Sequence, residues 1–328
     1  MRWVITGGCG FIGTQLTSRL LAAGEQVVLV DNLVAGRVED VERVIPGIQV
    51  APYEDSPSAS PLSLLRADVR DLDEIRRVFS AQDIVVHFAA NTGVIPSVQD
   101  PLFDCSVNVT GTLNVLHSAK EAGCARVVFA SSGAVVGDAD PPIHEKMLAR
   151  PVSPYGVSKL SGESYCKSYF ECFGLEAVAL RFGNVYGPGS IRKGSVVAKL
   201  IREALAGETW QIYGDGTQTR DFVYIDDLLE AVQKAATSSA AVGGEVFQIA
   251  TSQETSVNEL TELLGKVLEA HEVKSPTIIR EAAREGEVLR NFSLTDKANR
   301  LLGWSAATSL EDGLQRTVEW FLTNQSGS

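Results

Sequence analysis

The feature that most constrains this chain is its opening. Val4-Ile5-Thr6-Gly7-Gly8-Cys9-Gly10-Phe11-Ile12-Gly13 runs from an apolar stretch through a turn with glycines at 7, 10 and 13 into a helical pattern over 11–23. Strand, glycine turn and helix in that order bring backbone N–H groups and a helix N-terminus up to a pyrophosphate, where the helix dipole favours negative charge. A second apolar run, Val27-Val28-Leu29-Val30, closes on Asp31, 18 residues after Gly13, close to the spacing of a ribose-binding carboxylate. Asp31 would accept hydrogen bonds from a ribose diol and repel a 2′-phosphate, which favours NAD over NADP; Arg37 nearby works against that preference.

The alternation continues through Leu64-Leu65, a helical pattern over 72–79, Ile84-Val85-Val86, a helical pattern over 103–122, and Val127-Val128-Phe129. Continuously apolar strands alternating with helices imply a parallel sheet covered on both faces. The expected class is therefore α/β: a Rossmann-type doubly wound parallel sheet with a smaller, mostly helical C-terminal lobe. Asn32 to Pro61 interrupts the rhythm, and its stretch from Glu54 to Pro61 reads as an exposed loop. After a long helical pattern over 154–173, Ala177-Val178-Ala179-Leu180 reads as another strand. Residues 1–186 are expected to form the dinucleotide-binding domain and 187–328 the substrate lobe, with a late strand near 246–250 returning to the sheet.

Charge narrows the partners. With 29 basic and 41 acidic residues the formal net charge is −12, which argues against a nucleic-acid or anionic-membrane surface; an anionic substrate needs a few arginines to converge locally. No apolar run approaches a membrane span, and the first residues read as a buried strand rather than a signal peptide, so a cytoplasmic location is expected. Cys9, Cys105, Cys124, Cys166 and Cys172 are odd in number and show no C-x-x-C pairing, which argues against a disulfide framework and a structural zinc; no metal is expected.

Ser153-Pro154-Tyr155-Gly156-Val157-Ser158-Lys159 opens the helical pattern of 154–173, and a spacing of four puts Tyr155 and Lys159 on one helix face. A neighbouring ammonium favours the phenolate, so Tyr155 is expected to act as a base nearer neutral pH than an ordinary tyrosine. Ser131-Ser132 follows a strand and belongs at the carboxyl edge of the sheet, where open α/β folds bind ligands. Asp68-Val69 follows the third strand, where the carboxylate either reaches an adenine or serves as a charge at the start of the next helix.

Further motifs follow in order: His87-Phe88-Ala89-Ala90, Asn108-Val109-Thr110-Gly111-Thr112, Arg181-Phe182-Gly183-Asn184-Val185-Tyr186-Gly187-Pro188, Tyr213-Gly214-Asp215-Gly216 and Thr219-Arg220-Asp221-Phe222. With these the chain resembles, nearly end to end, the extended short-chain dehydrogenase/reductase family in its nucleotide-sugar epimerase and dehydratase branch, nearest to UDP-glucose 4-epimerase-like members. The resemblance implies that Ser132 hydrogen-bonds the reacting hydroxyl, that Tyr155 removes its proton, and that Lys159 binds the nicotinamide ribose and lowers the tyrosine pKa. It implies an NAD site formed by Gly7, Gly10, Phe11, Ile12, Gly13, Asp31, Asn32, Asp68, Val69, Phe88, Ala89, Ala90 and Asn108 with Tyr155 and Lys159. On the substrate side it implies Asn184, Tyr213, Arg220, Arg284 and Glu287 beside Ser132. His87 is expected in the core or lining the cofactor pocket, without a catalytic role.

The family's reactions differ in what stands beside the serine. Dehydratases resemble Thr-Asp-Glu there and decarboxylating relatives tend to place a glutamate there, while the reductase/epimerase relatives have a cysteine acid nearby; this chain has Ser132-Gly133-Ala134. A C4 epimerase needs no extra acid, so the resemblance implies a UDP-hexose 4-epimerase with tightly held NAD. A dehydratase or decarboxylase with its acid elsewhere, and a non-catalytic NAD-binding regulator, are the competing readings. Val136 replaces the family tyrosine in V-Y-G and alters a pocket wall; Asn291 falls near a position that gates bulky C2 substituents and is not a large aromatic. Glucose, N-acetylglucosamine and glucuronate stay open as the sugar. A homodimer packed through helices around 101–122 and 154–173 is expected, as in relatives, although their amphipathicity also suits solvent-facing helices.

Overall fold

The computed structural model describes residues 1–53, 60–283 and 289–324. Its strands are β1 (Arg2–Thr6), β2 (Gln26–Asp31), β3 (Ala51–Pro52), β4 (Leu62–Arg66), β5 (Ile84–His87), β6 (Arg126–Ser132), β7 (Ala177–Phe182), β8 (Asn184–Tyr186), β9 (Trp210–Tyr213), β10 (Thr219–Arg220), β11 (Phe222–Tyr224), β12 (Val246–Ile249), β13 (Thr255–Ser256) and β14 (Ile278–Glu281). The α-helices are α1 (Phe11–Ala22), α2 (Val38–Val44), α3 (Leu72–Arg76), α4 (Val94–Gln99), α5 (Pro101–Cys105), α6 (Thr112–Ala122), α7 (Pro154–Phe173), α8 (Val196–Leu205), α9 (Ile225–Thr237), α10 (Val257–Ala270), α11 (Asp296–Leu302) and α12 (Leu310–Asn324).

Eight strands form one sheet in the order β12-β7-β6-β5-β1-β2-β4-β3, with every neighbouring pair parallel. From β1 the chain builds outward to β2 and β4 on one side and to β5, β6 and β7 on the other. The order therefore reverses between β1 and β5, and a crevice opens beyond the carboxyl ends of those strands. This is the doubly wound Rossmann-type sheet that the alternation implies.

Side chains alternate between the faces of a strand, so Trp3, Ile5 and Leu29 join one buried cluster with α1, α8 and α9 residues such as Leu16, Ile201 and Leu228. Val4, Val28 and Val30 point the other way and pack with Val115, Leu116, Cys166 and Tyr169 of α6 and α7. A buried Val, Leu or Ile contributes roughly 1.5–3 kcal/mol, more than an exposed ion pair, so these runs decide where the sheet lies.

The helical pattern over 103–122 is not one α-helix. A π-helical turn at Ser106–Gly111 separates α5 from α6. At its end Gly111 lies against β4's exit, where an added Cβ would come 2.6 Å from Val69 Cγ2. Helical periodicity in a sequence does not register the one-residue widening that this contact accompanies.

Beyond β7 three small sheets support the second lobe: β8 pairs with β11 and β9 with β14, both parallel, and β10 with β13 antiparallel. The chain crosses back at α9, which packs on β6, β7 and α1, and at β12, which joins the main sheet beside β7.

Candidate active site

At the mouth of the crevice Gly7 has φ +68°, and its N–H donates to Val30 O at 2.8 Å. An added Cβ there would lie 2.6 Å from Ala89 N, and one at Gly13 would lie 2.6 Å from Gly7 O. Glycine is thus required for β1, α1 and the Phe88-Ala89-Ala90 segment to converge. Gly10 precedes α1 without a side-chain cap, so the first-turn N–H groups face the crevice unoccupied by the chain's own oxygens. This cradle suits a pyrophosphate.

Asp31, at the end of β2, is 8% exposed; its Oδ2 accepts from Cys9 N–H at 2.9 Å and its Oδ1 from Leu33 N–H at 2.8 Å. Burial pushes its carboxyl up from the ordinary value, against those two hydrogen bonds. Asn32 Nδ2 donates to Asp68 Oδ2 at 2.9 Å, and Arg70 donates to Asp68 through N, Nε and Nη2, each at 2.9 Å. The hydrogen-bonded Arg70 guanidinium holds the Asp68 carboxyl well below its usual range. Asp71, not Asp68, caps α3. Asp68 therefore stands with Asn32 at the crevice rim, while Val69 is buried at 5% exposure under α6.

Asn108 lies in the π-helical turn at 1% exposure. Its Oδ1 accepts from Asn91 N–H at 2.8 Å, and its Nδ2 faces Asn91 O (3.0 Å), Asp104 Oδ1 (2.9 Å) and Ser158 Oγ (3.1 Å). Asn108 thereby ties the loop after β5 to α7. His87 is a core residue, 1% exposed, with Nδ1 at 2.6 Å from Thr6 Oγ1 and Nε2 at 3.0 Å from Thr112 Oγ1; burial and the nearby Lys159 lower its pKa to about 3.

The Ser–Tyr–Lys group is assembled by α7 leaning on the end of β6. Ser153 caps the helix by accepting from Gly156 N–H at 3.1 Å, and Pro154 occupies the first turn. Gly156 permits the close approach, because an added Cβ would lie 2.5 Å from Ala134 O. Ser132 ends β6 with Oγ accepting from Ala134 N–H at 3.2 Å. Lys159, 3% exposed, donates to Ala130 O at 2.8 Å, with Nζ 5.7 Å from the centre of the Tyr155 ring and 5.0 Å from that of Phe129.

The electrostatics correct one expectation. Lys159 does not bring Tyr155 toward neutral pH: burial raises the phenol to about 12, the Ser132 hydroxyl offsets part of that, and Asp104 adds to it. Burial lowers Lys159 itself to about 8 against the opposing pull of Asp104. Desolvation outweighs the neighbouring charge: Lys159 is buried, and burial is the largest influence on the Tyr155 phenol although the residue as a whole is only partly covered. Tyr155 keeps its proton at neutral pH in the protein alone.

Glu163 lies one further turn along α7, and no motif drew attention to it. Its carboxylate accepts from Arg181 Nε and Nη2 on β7, both at 2.8 Å, and from the Ser131 hydroxyl on β6; both charged residues are 5% exposed. The only signal in the sequence is that 155, 159 and 163 share a helix face. This pair fastens α7 to the two strands beneath it.

On the substrate side Asn184 is exposed at the start of β8, Tyr213 ends β9, and Arg220 in β10 donates from Nη1 to Thr219 O at 2.7 Å. Arg284 and Glu287 lie outside the described residues, as does most of the Glu54 to Pro61 stretch. Asp221, 1% exposed, ties the lobe together: it accepts from Thr251 N and Oγ1 at 2.7 and 2.6 Å, Ser252 N at 3.1 Å and Ser293 N at 3.3 Å. Val136 is 1% exposed and packs with Val135 and Ile143, so it fills a small core behind the crevice. Gly133 is different: nothing lies within 4 Å of where its Cβ would be.

A dinucleotide cradle at the switch point, with a serine, tyrosine and lysine beside it, defines an NAD-dependent enzyme that acts at a carbon bearing a hydroxyl. The model of the NAD dependent epimerase/dehydratase family matches residues 3–250, and the chain belongs to that family. It is 36% identical over 327 residues to a putative UDP-glucose 4-epimerase of Methanocaldococcus jannaschii, covering 98% of both chains. It is 35% identical to the UDP-glucose 4-epimerase of Mycolicibacterium smegmatis, again over 98% of each. The crystal structure of UDP-glucose 4-epimerase with UDP-glucose from Thermotoga maritima superposes with a TM-score of 0.87 at 33% identity, covering 99% of this chain and 100% of that one. The protein binds NAD and acts on nucleotide sugars.

Proposed function

We propose that the protein is a UDP-hexose 4-epimerase. The observation that carries this reading is the pairing of Ser132, Tyr155 and Lys159 with an open, acid-free position at Gly133. A Cβ at 133 would meet no atom within 4 Å, so nothing closes the position to a side chain, and the chain places no acid there.

In this reading Ser132 and Tyr155 hold the C4 hydroxyl between them. Tyr155 takes its proton as C4 is oxidised, the 4-keto sugar turns over, and Tyr155 returns the proton after reduction from the opposite face. NAD, held by the glycine turn, Asp31 and Lys159, supplies the hydride acceptor and donor, and in its oxidised form a positive ring charge that favours the phenolate. The high pKa of Tyr155 fits a residue that is base in one half-reaction and acid in the other. Asn184 and Arg220 bind the nucleotide diphosphate, with Arg284 and Glu287 added from the sequence. With Asn291 rather than a large aromatic, N-acetylated hexoses fall within the substrate range.

Homodimerisation belongs to the same reading. Ile95 and Val98 (61% each) of α4, Leu102 (82%) of α5, and Val157 (54%) and Phe173 (55%) of α7 are exposed. Apolar surface on adjacent helices suits a twofold contact. Light scattering at micromolar concentration reads it, and a monomer would end it.

Incubation of the purified protein with UDP-glucose, UDP-N-acetylglucosamine and UDP-glucuronate, without added NAD and followed by proton NMR, tests the reaction. A C4-inverted product of unchanged mass is expected. Loss of water or carbon dioxide would replace epimerisation with dehydration or decarboxylation, and an inert but NAD-binding protein would point to a regulator.

A further inference from the structure

One buried carboxyl group near the Ser–Tyr–Lys site has no part in the reaction above. Asp104, near the end of α5, is 1% exposed, and no cation pairs with it among the described residues. An enclosed carboxylate without a counter-charge is costly, so donors or a charge near it must offset that cost.

Its hydrogen bonds lead to α7. Asp104 Oδ1 accepts from Asn108 Nδ2 at 2.9 Å, one helical turn on, with Asn91 Nδ2 at 3.5 Å. The same Asn108 nitrogen stands 3.1 Å from Ser158 Oγ, and the Ser158 hydroxyl donates to Tyr155 O at 3.0 Å. A short chain of hydrogen bonds therefore joins Asp104 to the backbone of Tyr155. Asn108 Oδ1 accepts from Asn91 N–H at 2.8 Å, and turning the amide over would set that oxygen against the Asp104 carboxylate. Asp104 thus decides which way Asn108 points.

Asp104 also acts by charge. It opposes the burial that lowers Lys159 to about 8, and it adds to the burial that raises Tyr155 to about 12. The other titratable groups around Lys159 do not take its place. Tyr155 on α7 is uncharged at neutral pH, and His87 on β5, lowered to about 3, is neutral. Glu163 of α7 is bound to Arg181 of β7 at 2.8 Å. Arg126, the ionisable residue of β6, lies at the opposite end of that strand, and α6 presents His117 to Tyr169, further along α7. The segments Val94–Gln99 and Ser106–Gly111, which also pack on α7, contain no ionisable side chain.

We infer that Asp104 is a positioning residue of this site: its carboxylate aims Asn108 at Ser158 and so seats the first turns of α7, and its charge keeps the enclosed Lys159 cationic while Tyr155 gives and takes the proton. The inference rests on the roles given above to Tyr155 and Lys159, and not on which sugar is bound. Without Asp104 the burial of Lys159 goes unopposed, and the cation is lost nearer neutral pH.

The test compares wild type with Asp104→Asn, which keeps an oxygen able to accept from Asn108 but removes the charge, and with Asp104→Ala, which removes both. Lysine carrying carbon-13 at Cε is titrated by NMR in the NAD-loaded protein, the Lys159 signal being assigned by its loss in Lys159→Met. Turnover of the nucleotide sugar that the wild type converts is followed across about pH 6–10. Asp104→Asn is expected to lower the Lys159 midpoint by roughly half a unit or more and to move the alkaline limb of kcat to lower pH with it, with NAD retained. Asp104→Ala is expected to show the same shift and, with Asn108 released, a further loss of roughly 10-fold in kcat at its optimum. An unchanged Lys159 midpoint in folded Asp104→Asn overturns the inference. So does lost stability or NAD retention with the pH profile intact, which is a structural role alone. If Asp104→Ala does not fold, Asp104→Asn still decides. Failure of the wild type to convert a nucleotide sugar would fault the reaction proposed above, while the Lys159 titration needs no sugar and still tests Asp104.

Discussion

The two sides of the crevice are built differently. The side proposed to be catalytic hangs on β6 and the 20-residue α7, both packed into the main core, and is locked by the buried Glu163–Arg181 pair. The substrate side rests on strands of two to four residues gathered by one buried carboxylate, Asp221. Long elements hold the first side in place. The substrate side depends on hydrogen bonds among loops, which suits a region that admits a sugar and turns it over.

The sharpest test of the catalytic side is Tyr155→Phe. Loss of the phenolic oxygen removes the proton carrier, so turnover should fall by about 10²–10⁴, while NAD stays bound and the melting temperature holds. Near wild-type turnover would remove Tyr155 from the reaction.

Next in size is a pair that weighs one side against the other. Glu163→Gln leaves Arg181 buried without its counter-charge and should cost about 3–5 kcal/mol in denaturant unfolding. Asp221→Asn keeps the shape but turns an amide N–H₂ toward N–H donors, costing roughly 1–3 kcal/mol and raising KM more than it lowers kcat. If Asp221→Asn loosened NAD as much as substrate, the division between the two sides would fail.

Burial of Lys159 gives a pH signature. A lysine lowered to about 8 in the folded protein binds fewer protons than the unfolded chain between about pH 8 and its ordinary value near 10.5. Stability should therefore rise with pH across that window. Lys159→Met should be more stable than wild type at pH 7, by about 1–3 kcal/mol, and should flatten the rise, while losing activity. Equal pH slopes in chemical unfolding of the two proteins would show that Lys159 is not the group held at a cost.

The same division explains what the chain discloses before it is folded. The strands, the glycine turn, Asp31, and the Ser132, Tyr155 and Lys159 group are legible because each depends on neighbours within a few residues or on a strand end. Glu163 is not, since its meaning requires Arg181 and Ser131 from two strands packed under α7. Nor is the high pKa of Tyr155, because spacing reveals the nearby lysine but not the burial that outweighs it. Asp221 stands in a motif, but its role is hidden for the same reason: its partners Thr251, Ser252 and Ser293 come from distant parts of the chain.

The smallest expected effect comes from two glycines on either side of one contact. Gly156→Ala would drive a methyl to 2.5 Å from Ala134 O, so α7 must retreat from β6, at a cost of about 1–3 kcal/mol. Gly133 belongs to the turn that Gly156 presses on, yet its Cβ position is open and its φ is not in the left-handed region. Gly133→Ala should therefore change stability by less than about 1 kcal/mol, and in the stabilising direction if the loss of unfolded-chain freedom dominates. Activity then separates two meanings of the empty space. A methyl that leaves stability untouched but slows turnover would show that the sugar occupies the space beside Ser132 as it turns. A methyl that changes neither would leave it as unused room, and Gly133→Asp could then be asked whether an added acid alone diverts the 4-keto sugar toward elimination.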